Sequence, residues 1–223
     1  MDGPEFWLVA GPNGAGKTTC VQKEPISNIL PAVSFHNPDD RALEKLRTRG
    51  YQGFADAPLD VQTGCFIEAA DEVFAALEKA ILQDGSVGVE TVLSPEKYRP
   101  LVESEARKQG FVGLIYIALS SASLAKERVA ARVQRGGHDI PEGKIEQRWN
   151  RSLKNLTWFA QKATAFWVID NSDSNPANPP LLLALGKFGI LEYLNEAAFP
   201  EMKAALSTLP GKGIQSILFN SSN

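Results

Sequence analysis

The sequence predicts a three-layer α/β domain built on a mainly parallel sheet of about five strands. Three observations carry that prediction. Short, β-rich apolar runs alternate with longer stretches whose apolar residues recur every three or four positions. A glycine-rich turn follows the first apolar run immediately. The composition is that of an ordinary globular chain, 43% hydrophobic and 22% charged over 223 residues, enough for one domain with a modest appendage. Disorder, collagen and a disulfide scaffold are excluded as overall descriptions.

The elements follow in order. Phe6–Ala10 is continuously apolar and stopped by Gly11-Pro12, so it reads as a buried first strand. Ala32–His36 is a shorter second candidate, and Ser86–Val89 a third, entered through Asp84-Gly85. Phe111–Leu119 is the longest run, and Ala165–Ile169 is the fifth. Between them, Val61, Phe66, Ala69, Val73, Leu77 and Ile81 mark an amphipathic helix ending at Asp84-Gly85. Pro95–Gln109 is a second helix stopped by Gly110, Ser123–Arg135 a third closed by Gly136-Gly137, and Ile145–Ala163 a fourth. A further short helix starts near Arg41. Strands alternating with helices require parallel pairing through right-handed crossovers. Asp170–Pro180, rich in Asn, Ser, Asp and Pro, reads as a loop. Residues 181–223 read as a C-terminal helical extension, helical around Ile190–Leu206, with Phe219–Asn223 expected to fray. The expected division is one domain over 1–180 and this extension over 181–223.

Charge narrows the partners. Lys plus Arg is 23 and Asp plus Glu 26, a net charge of -3, so a nucleic-acid backbone is not the expected main partner. The cysteines Cys20 and Cys65 give neither a disulfide framework nor a metal-knuckle spacing, and read as small buried hydrophobes in a reducing cytoplasm. The acidic start Met1–Glu5 lacks a signal peptide's basic region, and no apolar run approaches the roughly 18 residues of a membrane span. A cytoplasmic setting with no membrane partner is expected.

The strongest chemical signal is Gly11-Pro12-Asn13-Gly14-Ala15-Gly16-Lys17-Thr18, which fits G-x-x-x-x-G-K-[ST] and has a strand before it and a helix after it. Glycines let successive N–H groups point inward at phosphate oxygens, and the helix N-terminus adds its positive end. The expected ligands are ATP along Gly11–Thr19, with Lys17 at the β- and γ-phosphates, and Mg²⁺ at the Thr18 hydroxyl. Pro25 is expected to end the helix near Lys23 or Glu24. The chain carries no L-S-G-G-Q-like element, no N-K-x-D, and no apolar strand ending in Asp-Glu. What remains is a P-loop NTPase fold of the small-molecule kinase type, closed by an arginine-rich helical lid over about residues 126–152. Arg128, Arg132 and Arg135 share one helix face, where an unscreened cationic array calls for an anion. Arg148 and Arg151 follow on the next helix.

These residues resemble the zeta-toxin family of P-loop kinases, in its chromosomal branch. The resemblance rests on residues 11–19, Asn37-Pro38-Asp39-Asp40, Glu90-Thr91-Val92-Leu93-Ser94, the block from Arg128 through Gly136-Gly137-His138-Asp139-Ile140-Pro141, Arg148–Leu156, and Asp170-Asn171-Ser172, in the family's order over about residues 5–173. It implies ATP- and Mg²⁺-dependent phosphorylation of a sugar hydroxyl of UDP-N-acetylglucosamine and an antitoxin protein that blocks the nucleotide site. It also implies Asp39 as general base, Glu90 as a substrate contact, and lid arginines on the transferring phosphate, with Arg132 and Arg135 favoured over Arg128, Arg148 and Arg151. Where the branch has an Ala-Gly-Arg step, this chain has Thr63-Gly64-Cys65.

Each assignment has a plainer competitor. Asp39 is either the base or only a helix cap. Glu90 holds a Mg²⁺-bound water, holds a substrate hydroxyl, or is a solvated strand end. Thr91 is a lesser substrate contact. The arginines are phosphate ligands or a solvated face. His138 is a lid residue that binds phosphate, gates closure or is structural. Asn171 flanks the adenine or lies in a plain turn. A second function class also stands: an ATP-binding or ATP-hydrolysing switch, or toxin module, acting through a protein partner.

Overall fold

The structure, a computed structural model, describes residues 3–23, 26–175 and 178–211. Its strands are β1 (Glu5–Ala10), β2 (Ser34–His36), β3 (Val87–Thr91), β4 (Phe111–Ala118), β5 (Ala165–Asp170), β6 (Leu181–Lys187) and β7 (Ile190–Leu194). Its helices are α1 (Lys17–Cys20), α2 (Pro38–Thr48), α3 (Leu59–Leu82), α4 (Arg99–Arg107), α5 (Ala122–Val133), α6 (Glu142–Lys162) and α7 (Pro200–Leu206). The strands form one sheet in the order β2-β3-β1-β4-β5-β6-β7. The first five strands in sequence pair in parallel. Near-complete burial of β1 and β4 is what continuous apolar runs covered on both faces produce.

The sheet is larger than the sequence predicts. Residues 181–194, expected as part of a helical extension, instead add β6 and β7 as antiparallel strands beside β5. The cause is the turn. Phe188 and Gly189 both have positive φ, 51° and 72°, the backbone of a two-residue hairpin whose twist matches its strands. Ile190, Leu191, Tyr193 and Leu194 fit a helical period as well as a strand, and Phe-Gly is not the usual Asn-Gly signal, so periodicity alone reads this stretch as helix. Within the expected helix over 190–206, Pro200–Leu206 is helical. α1 is also shorter than predicted, turning off at Val21 rather than reaching Lys23. Pro25 and Phe219–Asn223 lie outside the described residues.

The main core spans the sheet and its helices. A smaller one joins Ala42, Leu46, Cys65 and Ala69 between α2 and α3, with Phe54 and Phe66 packed against it. Both cysteines are buried and unbonded. Trp149 is a packing residue, its Nε1 donating to the Leu119 carbonyl at 3.0 Å. Among the described residues no helix is long and apolar enough to cross a membrane.

β1 lies between β3 and β4, yet the chain visits β2 and β3 before crossing to β4. The carboxyl ends of the strands therefore open on a crevice where the strand order reverses. The loops after β1, β2, β3 and β5 meet there.

Candidate active site

The loop between β1 and α1 needs glycine where it bends. Gly11, Gly14 and Gly16 have φ of 146°, 78° and 74°. A Cβ on Gly11 would lie 2.1 Å from the Ile117 carbonyl oxygen, and one on Gly16 would lie 2.8 Å from Asn171 Nδ2. The loop is thus seated against β4 and the segment after β5 by the protein's own packing. Asn171 completes that seat. Its Nδ2 donates to the Ala15 carbonyl at 2.8 Å, and its own N–H donates to Ala118 at 3.1 Å. Asn13 and Ala15 are buried and Thr18 and Thr19 exposed.

Lys17 Nζ donates to the carbonyls of Gly11 at 3.1 Å and Pro12 at 3.3 Å. Burial lowers its pKa, while Glu90 and Asp39 pull it up and Arg132 lowers it further. Its hydrogen-bond partners are dipoles of its own loop, so an anion is the partner that would restore it.

Thr18 Oγ1 donates to Glu90, 3.0 Å from each carboxylate oxygen. Burial pushes the Glu90 carboxyl up, and Lys17 and the Thr18 hydrogen bond oppose that. A hydroxyl and a carboxylate side by side are hard oxygen donors, the set Mg²⁺ takes together with water and nucleotide phosphates. Among the described residues no group of three or more His, Cys, Asp or Glu could hold a metal. The Thr18–Glu90 pair fits a Mg²⁺ whose remaining ligands are water and nucleotide phosphates.

Asn37 rather than Asp39 caps α2. Its Oδ1 accepts the Asp39 N–H at 2.9 Å, and Pro38 takes the first helical position. The Asp39 carboxylate is left to border the cavity, with the more exposed Asp40 beside it.

Arg128 and Arg132 of α5 and Arg135 in the turn after it also line the cavity, and their partners differ. Arg128 spans three carbonyls of the segment after β5: Asn171 at 2.6 Å, Ser172 at 3.0 Å and Asp173 at 3.2 Å. Arg132 donates one bond, from Nη2 to the His138 carbonyl at 2.9 Å, and its Nε is buried without a partner. Arg135 is exposed, with Nε on the Ala131 carbonyl at 3.1 Å. Arg148 of α6 reaches Asn13 Oδ1 at 3.4 Å. Burial lowers its pKa, and Asp39 opposes.

These groups surround a cavity of about 960 Å³. Lys17, Thr18, Asp39, Glu90, Arg128, Arg132, Arg135 and Asn171 all line it. Arg148 stands outside that lining. Thr91 is buried, its Oγ1 accepting the Leu93 N–H at 3.1 Å and its carbonyl accepting the Gly11 N–H at 3.2 Å. Sequence reasoning missed Lys23 and Asp173 as parts of the lining. The polar composition of 170–180 signals a loop, and only the fold places that loop beside the glycine turn. Where the resembled branch has its arginine step, Arg49 after α2 lies over Gly64 and Cys65, with Nη1 3.0 Å from Cys65 Sγ and Nη2 2.6 Å from Glu68.

No family model matches the chain, and no curated protein matches it in sequence. Solved structures match in fold. A chain of the AvrRxo1-ORF1:AvrRxo1-ORF2 complex with sulphate ions aligns at a TM-score of 0.62 and 15% identity, over 94% of this chain and 77% of that one. The complex of the same two proteins with ATP aligns at 0.61 and 13%, over 96% of this chain and 66% of that one. A chain of the PezAT chromosomal toxin–antitoxin system of Streptococcus pneumoniae aligns at 0.54 and 15%, over 77% and 70%. At such identities the likeness is one of fold. This chain has the α/β fold of these proteins, in line with its resemblance to the zeta-toxin kinases.

Proposed function

We propose that the chain is an ATP- and Mg²⁺-dependent phosphotransferase that moves the γ-phosphoryl group to a hydroxyl of a small-molecule acceptor. One observation carries this reading. A phosphate-type loop with Lys17, the Thr18–Glu90 pair, the Asp39 carboxylate left free of helix capping, and Arg132 converge on a single cavity.

Bound Mg²⁺·ATP supplies the electrophilic phosphoryl group with part of its charge neutralised. The amides of Gly11–Thr19 and Lys17 bind the phosphates, Thr18 ligates the metal, and Glu90 orients Thr18. Asn171 holds the loop and borders the nucleotide. Asp39 accepts the acceptor hydroxyl's proton as the new O–P bond forms and ADP leaves. Arg132 and Arg135 offset charge on the transferring group, Arg148 addresses it from α6, and Arg128 braces the nucleotide loop. Catalysis here is positioning and electrostatics.

By resemblance, UDP-N-acetylglucosamine is the first acceptor to try. The PezAT neighbour comes from a toxin–antitoxin system and the AvrRxo1-ORF1 neighbours were solved with a partner chain, which supports an antitoxin-like protein partner for this chain.

The test is a screen of nucleotide sugars and polar metabolites with Mg²⁺·ATP, read by mass spectrometry for a phosphorylated product. Wild type should yield one and Lys17→Ala should not. ADP and free phosphate without any phosphorylated product would transfer support to the switch reading. No ATP binding at all would remove both.

A further inference from the structure

The loop between α5 and α6 carries contacts that the reaction proposed above does not use. α5 ends at Val133, and Gly136, with φ 84°, turns the chain back. The Gly137 N–H donates to the Arg132 carbonyl at 3.0 Å. A Cβ on Gly137 would lie 2.6 Å from Arg132 Cγ, so the returning chain lies directly on the Arg132 stem. His138 then gives its carbonyl to Arg132 Nη2 at 2.9 Å. Its ring leaves the lid and enters the small core of α2 and α3. The ring centroid is 4.2 Å from that of Phe66 and 5.1 Å from that of Phe54, and those two rings stack 5.3 Å apart.

The ring packs there as a neutral aromatic. Nδ1 is buried and unpaired. Burial pushes the imidazole down to about 4; Asp39 of α2 and Asp139 of the loop oppose, and Arg132 of α5 and Arg148 of α6 add to the lowering. Phe54 and Phe66 bring no charge.

We propose that His138 is a positioning residue that docks the lid on the α2–α3 face and so holds the Arg132 guanidinium ready for the donor's terminal phosphate. The inference rests on the phosphotransferase reading. An arginine already fixed by its backbone neighbour loses little freedom when the anion arrives, so the docking contact is worth binding selectivity.

The experiment compares calorimetric affinities for Mg²⁺·AMP-PNP and Mg²⁺·ADP. Wild type should prefer the triphosphate analogue by about 10–100-fold, the size of one charge-assisted hydrogen bond. Arg132→Ala should abolish the preference, and His138→Ala should remove most of it. His138→Phe should keep it, because a ring still fills the Phe54–Phe66 contact and the main chain is unchanged. In the Arg132→Ala background, His138→Ala should add nothing. ADP affinity reports that each variant is folded. If His138→Ala fails that control, Phe66→Leu, which alters the dock without touching the lid, must lower the preference instead. The proposal is overturned if wild type binds both nucleotides equally. It is also overturned if His138→Ala or its substitute keeps the full preference, if the two losses add, or if His138→Phe loses as much as His138→Ala. Wild type that binds neither nucleotide would sink the phosphotransferase reading itself.

Discussion

The Thr18 hydroxyl donates across the mouth of the phosphate loop to Glu90, 3.0 Å from both carboxylate oxygens, and ties α1 to the end of β3. Because the hydrogen is committed to Glu90, the Thr18 lone pairs point elsewhere, toward the cavity where a cation would sit. Thr18→Val should therefore abolish the gain in ATP affinity that Mg²⁺ confers while leaving metal-free binding in place. Glu90→Gln, which alters a partner of a metal ligand, should weaken the metal-dependent part by about 10–100-fold. Titrations of ATP with Mg²⁺ and with EDTA measure both. Equal responses of wild type and Thr18→Val to Mg²⁺ would remove Thr18 from the metal site.

The division of labour between Asn37 and Asp39 makes a second expectation. Asp39→Asn should eliminate phosphoryl transfer and keep ATP affinity and melting temperature near wild type, since the cap resides on Asn37. Asn37→Ala should cost about 0.5–2 kcal/mol of stability, and Asn37→Ser should recover most of it. A melting-point drop in Asp39→Asn matching that of Asn37→Ala would mean that Asp39 is structural after all.

Arg128 and Arg132 stand one turn apart on α5 and should behave oppositely. Arg132→Ala should slow transfer by about 10³–10⁵-fold, the range of arginines that stabilise phosphoryl-transfer charge, with little change in stability. Arg128 bonds three carbonyls at once, a geometry one ammonium cannot reproduce. Arg128→Lys should therefore resemble Arg128→Ala, lowering both thermal stability and ATP affinity. Should Arg128→Lys behave like wild type, the three-carbonyl brace is not what that residue contributes.

How much of this was legible in the sequence follows from the range of each interaction. The phosphate loop was legible because Gly11, Gly14 and Gly16 hold positive φ, a requirement local to the loop itself. β1, β3, β4 and β5 were legible because burial on both faces writes apolar runs, while β2, exposed or half-buried at Ser34–His36, gave a shorter and weaker signal. The Asn37 cap was missed, because a capping role fell to Asp39 or Asp40, although Asn-Pro before an acidic pair is an ordinary helix start. The β6–β7 hairpin was not legible, because Phe188 adopts a positive φ that few residues of its kind take. Nor was the fate of each arginine. Spacing puts Arg128, Arg132 and Arg135 on one face, but the Asn171 and His138 carbonyls that sort them arrive through the fold.

Glu105 supplies a prediction far from the cavity. It sits on the buried face of α4 with neither carboxylate oxygen paired. A Cβ on Gly110 would lie 1.9 Å from its Oε1, so the glycine is there to clear the carboxyl group. Burial pushes the Glu105 carboxyl above the usual range, with Lys108 opposing and Asp84 adding to the rise. The folded state thus binds the proton more tightly than the unfolded chain. Stability from this group is full below the unfolded carboxyl value of about 4.3 and is lost as pH rises from there through the folded value. Glu105→Met removes the buried charge and its unmet hydrogen bonds, so it should stabilise the protein by about 1–3 kcal/mol near neutral pH. The advantage should narrow as the pH falls into the acid range, where the native carboxyl is already protonated. Gly110→Ala should be destabilising in the wild-type background and better tolerated once Glu105 is replaced. Chemical denaturation across that pH range measures all of it. A Glu105→Met protein no more stable than wild type at neutral pH would show that the carboxylate has partners in solution, because an unpaired buried charge cannot be removed without gain.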